Sequence, residues 1–392
     1  LNKALLQTKV QEYLRKNLKK SPADLVLSGS PFANISSSEL GQQLTGLQKA
    51  EKKLPTWFEN FQIYYPPKIN LEQTSSEHTA KYKSSLIKGE TLIDLTGGLG
   101  IDDSYFCENF KSVLHCELNA ELSAIATHNL KSLGKDNIFF KNIDSIDFLR
   151  NSEQKFDYIY VDPSRRDHTG EKVFRLAECS PNVPGNLELL FSKSNNILIK
   201  TSPLLDLQAG ISELKFVTEI HIIAINNEVK ELLWQLKKDK ILEPAIKTLN
   251  FTKTGWEKFE GRLNRTKGEK SFSLPQNFLY EPNSAIMKSG LFEEVAYQTQ
   301  TIKLHQNSHL YTSENEVNFP GRKFKILDLE YYKPGLLKKK FKDLKANIAV
   351  RNFPERVEVL KKKFKIKDGG KKYLFFTTNL NNKKIVLFCE KC

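Results

Sequence analysis

Apolar and polar positions along the chain change rhythm three times. KALLQTKVQEYLRKNL (residues 3–18) repeats apolar residues at helical spacing, and SSSELGQQLTGLQKAEKKLP (36–55) runs from serine caps to a terminating proline. Residues 1–75 therefore read as a helical N-terminal domain without a chemistry-bearing cluster. From 76 to about 260, short apolar runs alternate with helix-compatible stretches. The expected strands are TLIDLT (91–96), SVLHCE (112–117), NIFFKN (137–142), DYIYVD (157–162), NILIKT (196–201), EIHIIAIN (219–226) and AIKTLNF (245–251). Segments such as NAELSAIATHNLKSLG separate the first five, and EVKELLWQLKK, between the last two, reads as a shorter helix. That alternation predicts a doubly wound, mostly parallel α/β sheet with helices on both faces, here assigned to residues 76–265.

Beyond about 265 the pattern turns β-rich and then basic. KANIAVRNFP, ERVEVLKKKFKIK and KKYLFFTTNLNNKKIVLFCEK read as strand, helix and hairpin, with NLNN as the turn because Asn tolerates left-handed geometry. Two α+β modules are expected, 266–325 and 326–392. A chain of 392 residues exceeds what one core usually serves.

Charge sharpens this division. The formal net charge is +14, and from Tyr331 to Lys372 fifteen Lys or Arg face four acids. Positive charge concentrated in one module is the footprint of a nucleic-acid-binding surface, although a solubilising lysine-rich face has the same composition. No run of about eighteen apolar residues is present to span a membrane. The opening LNKALLQTKVQEYLRKNLKK is too evenly charged for a secretory signal. Five cysteines at irregular spacing, with one CxxC at Cys389 and Cys392, suit reduced thiols in a cytoplasmic protein and give no zinc pattern; no metal site is expected.

Candidate chemistry centres on DLTGGLG. Glycines directly after a strand let the backbone approach a ligand at the strand's carboxyl end. A dinucleotide fingerprint would need a third Gly or Ala where Asp103 stands, so that reading is weak. Four acids fall at successive strand ends: Asp94, Glu117, Asp144 and Asp162. Glu117 can accept both hydroxyls of a ribose, Asp144 an adenine amine, and Ile143 can pack on the ring. Upstream, Thr74 and Glu77 have the spacing of a capping box; the alternative sets Ser75, Ser76 and the helix N-terminus near a carboxylate ligand.

Together, DLTGGLG, the acid in HCELN, NIDSIDFL and VDPSRRD resemble the class I S-adenosylmethionine-dependent methyltransferases over residues 76–260. The resemblance implies a Rossmann-like sheet whose last strand pair, EIHIIAIN with AIKTLNF, is antiparallel. It implies S-adenosyl-L-methionine as cofactor, held by Ser76, Asp94, Thr96, Gly98, Gly100, Glu117, Leu118, Ile143, Asp144 and Asp162, with Thr96 replacing the family's usual first glycine. At finer scale DPSRRD, IKTSPLLD and KIKDGGKKYLFFTT are similar to a bacterial family of methyltransferases with a ferredoxin-like insertion (here 266–325) and a THUMP-like C-terminal domain (326–392). THUMP-type modules are associated with RNA-modifying enzymes, which implies tRNA or rRNA as partner.

The catalytic residues implied are Asp162, Pro163 and Arg165. A carboxylate and the Pro163 carbonyl can take the N–H groups of a base's exocyclic amine and localise its lone pair. Arg165 and Arg166 stand where amine methyltransferases place an aromatic; a guanidinium stacks on a base or grips a phosphate. Lys200, Thr201, Ser202 and Pro203 are expected to border the pocket. Pyrimidine C5 methylation through Cys179, a small-molecule methyltransferase, and an RNA-binding protein using the fold as a scaffold are the competing readings.

Overall fold

The computed structural model describes residues 1–165, 175–240, 243–263, 272–342 and 344–392; Arg166 and His168 lie outside the described residues. The chain folds as two compact units, Leu1–Thr218 with Leu233–Leu242, and Glu219–Leu232 with Glu243–Cys392.

The N-terminal segment is helical, its longest helix being Ser37–Lys53. Ser36 caps that helix by accepting from the Glu39 amide while Glu39 reaches back to the Ser36 amide, so both orphan donors are satisfied. Gln43 and Asn129 make the buried polar links of this segment: each bonds both backbone groups of one residue in Tyr64-Tyr65.

The first sheet has nine strands: β1 Gly89–Asp94, β2 Phe110–Cys116, β3 Ile138–Lys141, β4 Tyr158–Val161, β5 Asn196–Thr201, β6 Val217–Ile225, β7 Glu228–Lys237, β8 Ala245–Thr252 and β9 Gly255–Gly261. Their order is β3-β2-β1-β4-β5-β7-β6-β8-β9. β1 pairs in parallel with β2 and β4, β2 with β3, and β4 with β5. All seven expected strands form, and helices such as Ala120–Ser132 and Val183–Lys193 occupy the crossovers.

Two local readings are corrected. EVKELLWQLKK is strand β7, inserted between β5 and β6. Its apolar spacing fits a helix, but Glu231 to Trp234 are buried in succession, the pattern of a strand covered on both faces. Asn226 and Asn227, with φ of +50° and +63°, form the two-residue turn from β6, and so short a connection makes β6 and β7 the antiparallel hairpin. AIKTLNF, as β8, instead pairs with β6 in parallel and with β9 in antiparallel.

The second sheet follows the order β11-β12-β10-β13-β16-β15-β14, where β10 is Phe278–Pro282, β11 Ile302–Lys303, β12 Tyr311–Ser313, β13 Gly321–Tyr331, β14 Asn347–Val350, β15 Lys372–Thr378 and β16 Lys384–Lys391. Helices Ser284–Ser289 and Phe292–Thr299 interrupt the expected β-rich stretch. β15 and β16 form the C-terminal hairpin. Leu279, Phe324, Phe375, Ile385 and Leu387 fill one core cluster of this sheet; Leu337, Phe341, Leu360, Phe364 and Phe376 fill another. Among the described residues no helix is long and apolar enough to cross a membrane.

Candidate functional site

Four parallel strands end side by side on one rim. The ladders place Asp94 opposite His115 and Tyr160, and Cys116 opposite Lys141. Asp94 is 2% exposed, and its Oδ1 accepts from the Thr96 amide at 2.7 Å and the Thr96 hydroxyl at 3.1 Å. The same hydroxyl accepts from the Asp162 amide at 2.7 Å. Thr96 thus joins the ends of β1 and β4, a link no glycine could make, which accounts physically for the departure from the family's usual glycine.

The loop is held from below and from the side. Gly98 donates its amide to Glu117 Oε2 at 2.9 Å, and Asn119 donates to Oε1 at 2.7 Å. Gly98 and Gly100 have φ of +57° and +72°, which side chains rarely adopt. Gly97 needs to be glycine for another reason: a Cβ there would lie 2.2 Å from His115 Cε1. At the end of β3, Asp144 caps helix Ser145–Asn151, its Oδ1 accepting from Ile146 and Asp147. Leu118 is 72% exposed and Ile143 39%, so two apolar side chains stand in water beside the acids Glu117 and Asp144.

Ser76, rather than the expected Thr74 and Glu77 pair, caps helix Glu77–Leu86, accepting from the Thr79 amide. Glu77 turns away, to the Thr56 amide and hydroxyl and to Lys81. Burial acts to raise its carboxyl, but these hydrogen bonds win and hold it below the usual carboxylate range.

Asp162 pairs with Lys200 from β5. Beside it opens a recess lined by Pro163, Arg165, Arg175, Leu176, Cys179, Thr201, Ser202, Leu204 and Leu205; of the residues expected to border the pocket, Thr201 and Ser202 line this recess, whereas Lys200 and Pro203 do not. Ser164 and Ser180 exchange backbone hydrogen bonds, which brings Cys179 back to the Asp162 strand end despite the sequence separation. Burial pushes the Cys179 thiol up, although Arg165 opposes this, and the thiol bonds the Arg175 carbonyl. A nucleophilic cysteine needs the thiolate, so this environment disfavours the C5 reading.

The sequence reading missed the floor of the loop. Lys83, fully buried, bonds Ser75 Oγ at 2.7 Å and lies 3.0 Å from Asp102 Oδ1; Asp102 Oδ2 accepts from Ser75 and from the Tyr160 hydroxyl. Burial alone would raise Asp102, but Lys83 and Lys200 outweigh it and hold the carboxyl low. Asp103 and His115 are also fully buried, joined at 2.7 Å. The available signals were two adjacent acids in the short helix Ile101–Phe106, all of whose residues are buried, and a histidine following the apolar pair Val113 and Leu114 in a strand.

The β3-β2-β1-β4-β5 order, with a glycine loop after β1 and acids along the carboxyl rim, defines the class I methyltransferase fold. The match extends over the whole length: a solved structure from Porphyromonas gingivalis W83, described as a "putative methyltransferase", is 31% identical, with a TM-score of 0.88, 100% of this chain and 99% of that one being covered. The chain belongs to that family, class I S-adenosylmethionine-dependent methyltransferases carrying ferredoxin-like and THUMP-like domains. Family models place a ferredoxin-like domain at residues 278–320 and a THUMP domain-like module at 321–391. Partial similarity extends to an rRNA methylase from Streptococcus thermophilus (12% identity, 42% of this chain and 95% of that one, TM-score 0.31). It extends also to TrmK from M. capricolum, solved with S-adenosyl-homocysteine (19%, 41% and 68%, 0.31). No curated protein matches the chain.

Proposed function

We propose that this chain is an S-adenosylmethionine-dependent methyltransferase acting on a base of tRNA or rRNA, with an exocyclic amine as the favoured acceptor. The observation that carries the reading is the Thr96 link, which sets Asp94 and the glycine loop beside Asp162 and its recess. On this reading Asp94, Thr96, Gly98, Gly100 and Ser76 take the cofactor's amino-acid part, and Glu117, Leu118, Ile143 and Asp144 take ribose and adenine, an assignment supported by the exposed apolar side chains Leu118 and Ile143 next to these acids in the chain. Bound there, S-adenosylmethionine supplies an activated methyl group.

The chain's own residues then orient the acceptor, a contribution worth on the order of 7–11 kcal/mol for well-aligned reactants. Lys200 holds one oxygen of Asp162; the other, with the Pro163 carbonyl, accepts the amine hydrogens. Arg165 and Arg175 line the recess as stacking planes or phosphate clamps. The basic residues of the C-terminal module, taken as 326–392 after a ferredoxin-like module at 266–325, supply sequence-independent attraction to phosphates. The protein acts in the cytoplasm on this reading.

Label from methyl-tritiated S-adenosylmethionine is expected to enter total tRNA or rRNA with wild-type protein and to fall at least tenfold with Asp162→Ala. Mass spectrometry of nucleosides from cells with and without the protein would name the base. Transfer only to small molecules, or none to RNA, would contradict the proposal.

A further inference from the structure

In the C-terminal module the chain leaving one helix meets the chain leaving another. Helices Pro334–Lys340 and Val357–Phe364 pack through Leu337, Phe341, Leu360 and Phe364 into one core cluster. The rings of Phe341 and Phe364, at the two helix ends, lie 4.9 Å apart, edge to face. The segments that follow are stitched together by backbone bonds. The Lys367 amide donates to the Leu344 carbonyl at 3.1 Å, and the Ala346 amide to the Lys367 carbonyl at 2.9 Å. Lys345 thereby stands directly opposite Lys367 on a neighbouring stretch of chain.

Past that bridge the chain swings out through residues 368–371 before β15 rejoins β14, with Tyr373 opposite Asn347. Gly369 and Gly370 have φ of +101° and +81°, which a side chain would strain. Asn347 Nδ2 holds the turn, donating to the carbonyls of Gly370 at 2.9 Å and Lys372 at 3.3 Å. A Cβ on Gly369 would lie 3.0 Å from Lys345 Cε and 3.7 Å from its Nζ, so the Lys345 side chain runs along the turn. Among the described residues the amides of Gly369, Gly370 and Lys371 donate to no protein acceptor.

Lysines in the last turn of a helix have an ordinary explanation, the negative end of the helix dipole. Lys342, Lys345, Lys367, Lys371 and Lys372 lie beyond both helices, so the dipole does not account for them. All five are exposed, and none is in an ion pair among the described residues. Asp368, the acid of the turn, is taken by Lys361 at 2.7 Å. Lys345 and Lys367 therefore face each other as uncompensated like charges, an arrangement that costs stability. An anion lying between them would relieve it. The patch has no stacking platform for a base: Phe341 and Phe364 are buried, and Tyr373 packs on the other core cluster. Unpaired strands are held largely by stacking on exposed rings, whereas duplex RNA is held through its phosphates and hydroxyls.

We infer that this end of the module, where Lys345 and Lys367 meet beside the Gly369-Gly370 turn, grips the phosphate backbone of a double-helical RNA stem. The inference rests on the proposed reading that the chain acts on RNA, and it adds which part of the RNA the module holds. Lys345 and Lys367 straddle a phosphate, the turn amides add neutral donors, and Lys342, Lys371 and Lys372 meet its neighbours along the strand. The stem is held without its sequence being read, so choice of the methylated base is left to the first sheet.

The test is fluorescence anisotropy with the full chain and two labelled probes, an RNA hairpin stem and an oligouridine with the same number of phosphates. The wild type is expected to bind the stem about tenfold more tightly, having no ring to offer an unpaired strand. The combined change Lys345→Glu, Lys367→Glu and Lys371→Glu is expected to weaken stem binding more than about tenfold and to flatten the salt dependence by about one unit of slope per lysine. A control with the same change of charge, Lys333→Glu, Lys383→Glu and Lys384→Glu, lies at the far end of the β15–β16 hairpin, where Lys384 faces Thr378 while Lys372 faces Glu390. It is expected to cost less than about threefold. Lys345→Gln with Lys367→Gln removes the repelling pair without reversing it, so stem affinity falls while the melting temperature of the free protein holds or rises. If the reversed variant does not fold, this pair decides. Equal losses from the two triple changes, or oligouridine bound as tightly as the stem, would overturn the inference. So would a melting temperature that drops in the Gln pair, or vesicles of anionic lipid bound in preference to the stem. Failure of the wild type to bind either RNA would bring down the RNA reading itself.

Discussion

The floor of the glycine loop and the basic C-terminal module both depend on charge, and they use it in opposite ways. Under the loop, Lys83, Asp94, Asp102, Asp103 and His115 are shut away from water, so each must find a partner or give up its charge. In the module, Lys340, Lys361 and Lys363 engage acids, while Lys338, Lys339, Lys362, Lys365 and Lys367 stand exposed. Surface ion pairs contribute little to stability, and solvated lysines less. Charge in the first region sets geometry; charge in the second sets attraction for a polyanion. Removing a single group should therefore damage the first region, whereas the second should respond only to changes made in number.

The sharpest way to break that contrast is Lys83→Met. It leaves Asp102 buried without its cation and is expected to cost about 3–5 kcal/mol in urea unfolding; a cost near zero would mean that the floor is not a constrained charge site. Gly97→Ala comes next. The new methyl would press on His115, and overpacking of this kind costs about 1–3 kcal/mol, with weaker cofactor binding by calorimetry.

A smaller effect appears with pH. Burial keeps His115 unprotonated in the native state, whereas the unfolded chain takes up the proton as pH falls below the ordinary value of 6.5. Stability should thus be lost on that side by at most about 1.4 kcal/mol per pH unit. Asp94 and Asp103, raised in the native state, act with the opposite sign above 3.8, so the histidine contribution is read as the difference between wild type and His115→Gln. Smallest in stability is the triple change of Lys338, Lys362 and Lys365 to Glu. Unfolding should move by no more than about 0.5 kcal/mol, while affinity for total tRNA at low salt drops more than tenfold and the salt dependence becomes shallower. Unchanged RNA affinity would remove the module from the RNA-binding role.

Much of the sheet was legible because each expected strand carries its own apolar run and the crossovers carry helical periodicity. β7 was hidden for a physical reason: Val229, Leu232, Leu233 and Leu236 satisfy a helical spacing, and only neighbours on both sides make the segment a strand. The Asn226-Asn227 pair, at positive φ, is the local turn signal that separates the two strands. Of the site, the strand-end acids could be read because topology alone places them on one rim. Lys200 reaches Asp162 only through strand pairing, and Cys179 reaches the recess only through the Ser164–Ser180 bridge, so neither contact is visible in linear spacing. Asp103 stood out merely as a failed fingerprint position, and its role depends on His115 from a different element.

The central claim is that the carboxyl rim of the first sheet binds S-adenosylmethionine through Asp94. Isothermal titration of S-adenosylmethionine into the wild type, Asp94→Ala and the triple lysine variant tests it most directly. A single site is predicted for the wild type, retained when the lysines are reversed and abolished in Asp94→Ala. No heat with wild-type protein, or undiminished binding without Asp94, would contradict it.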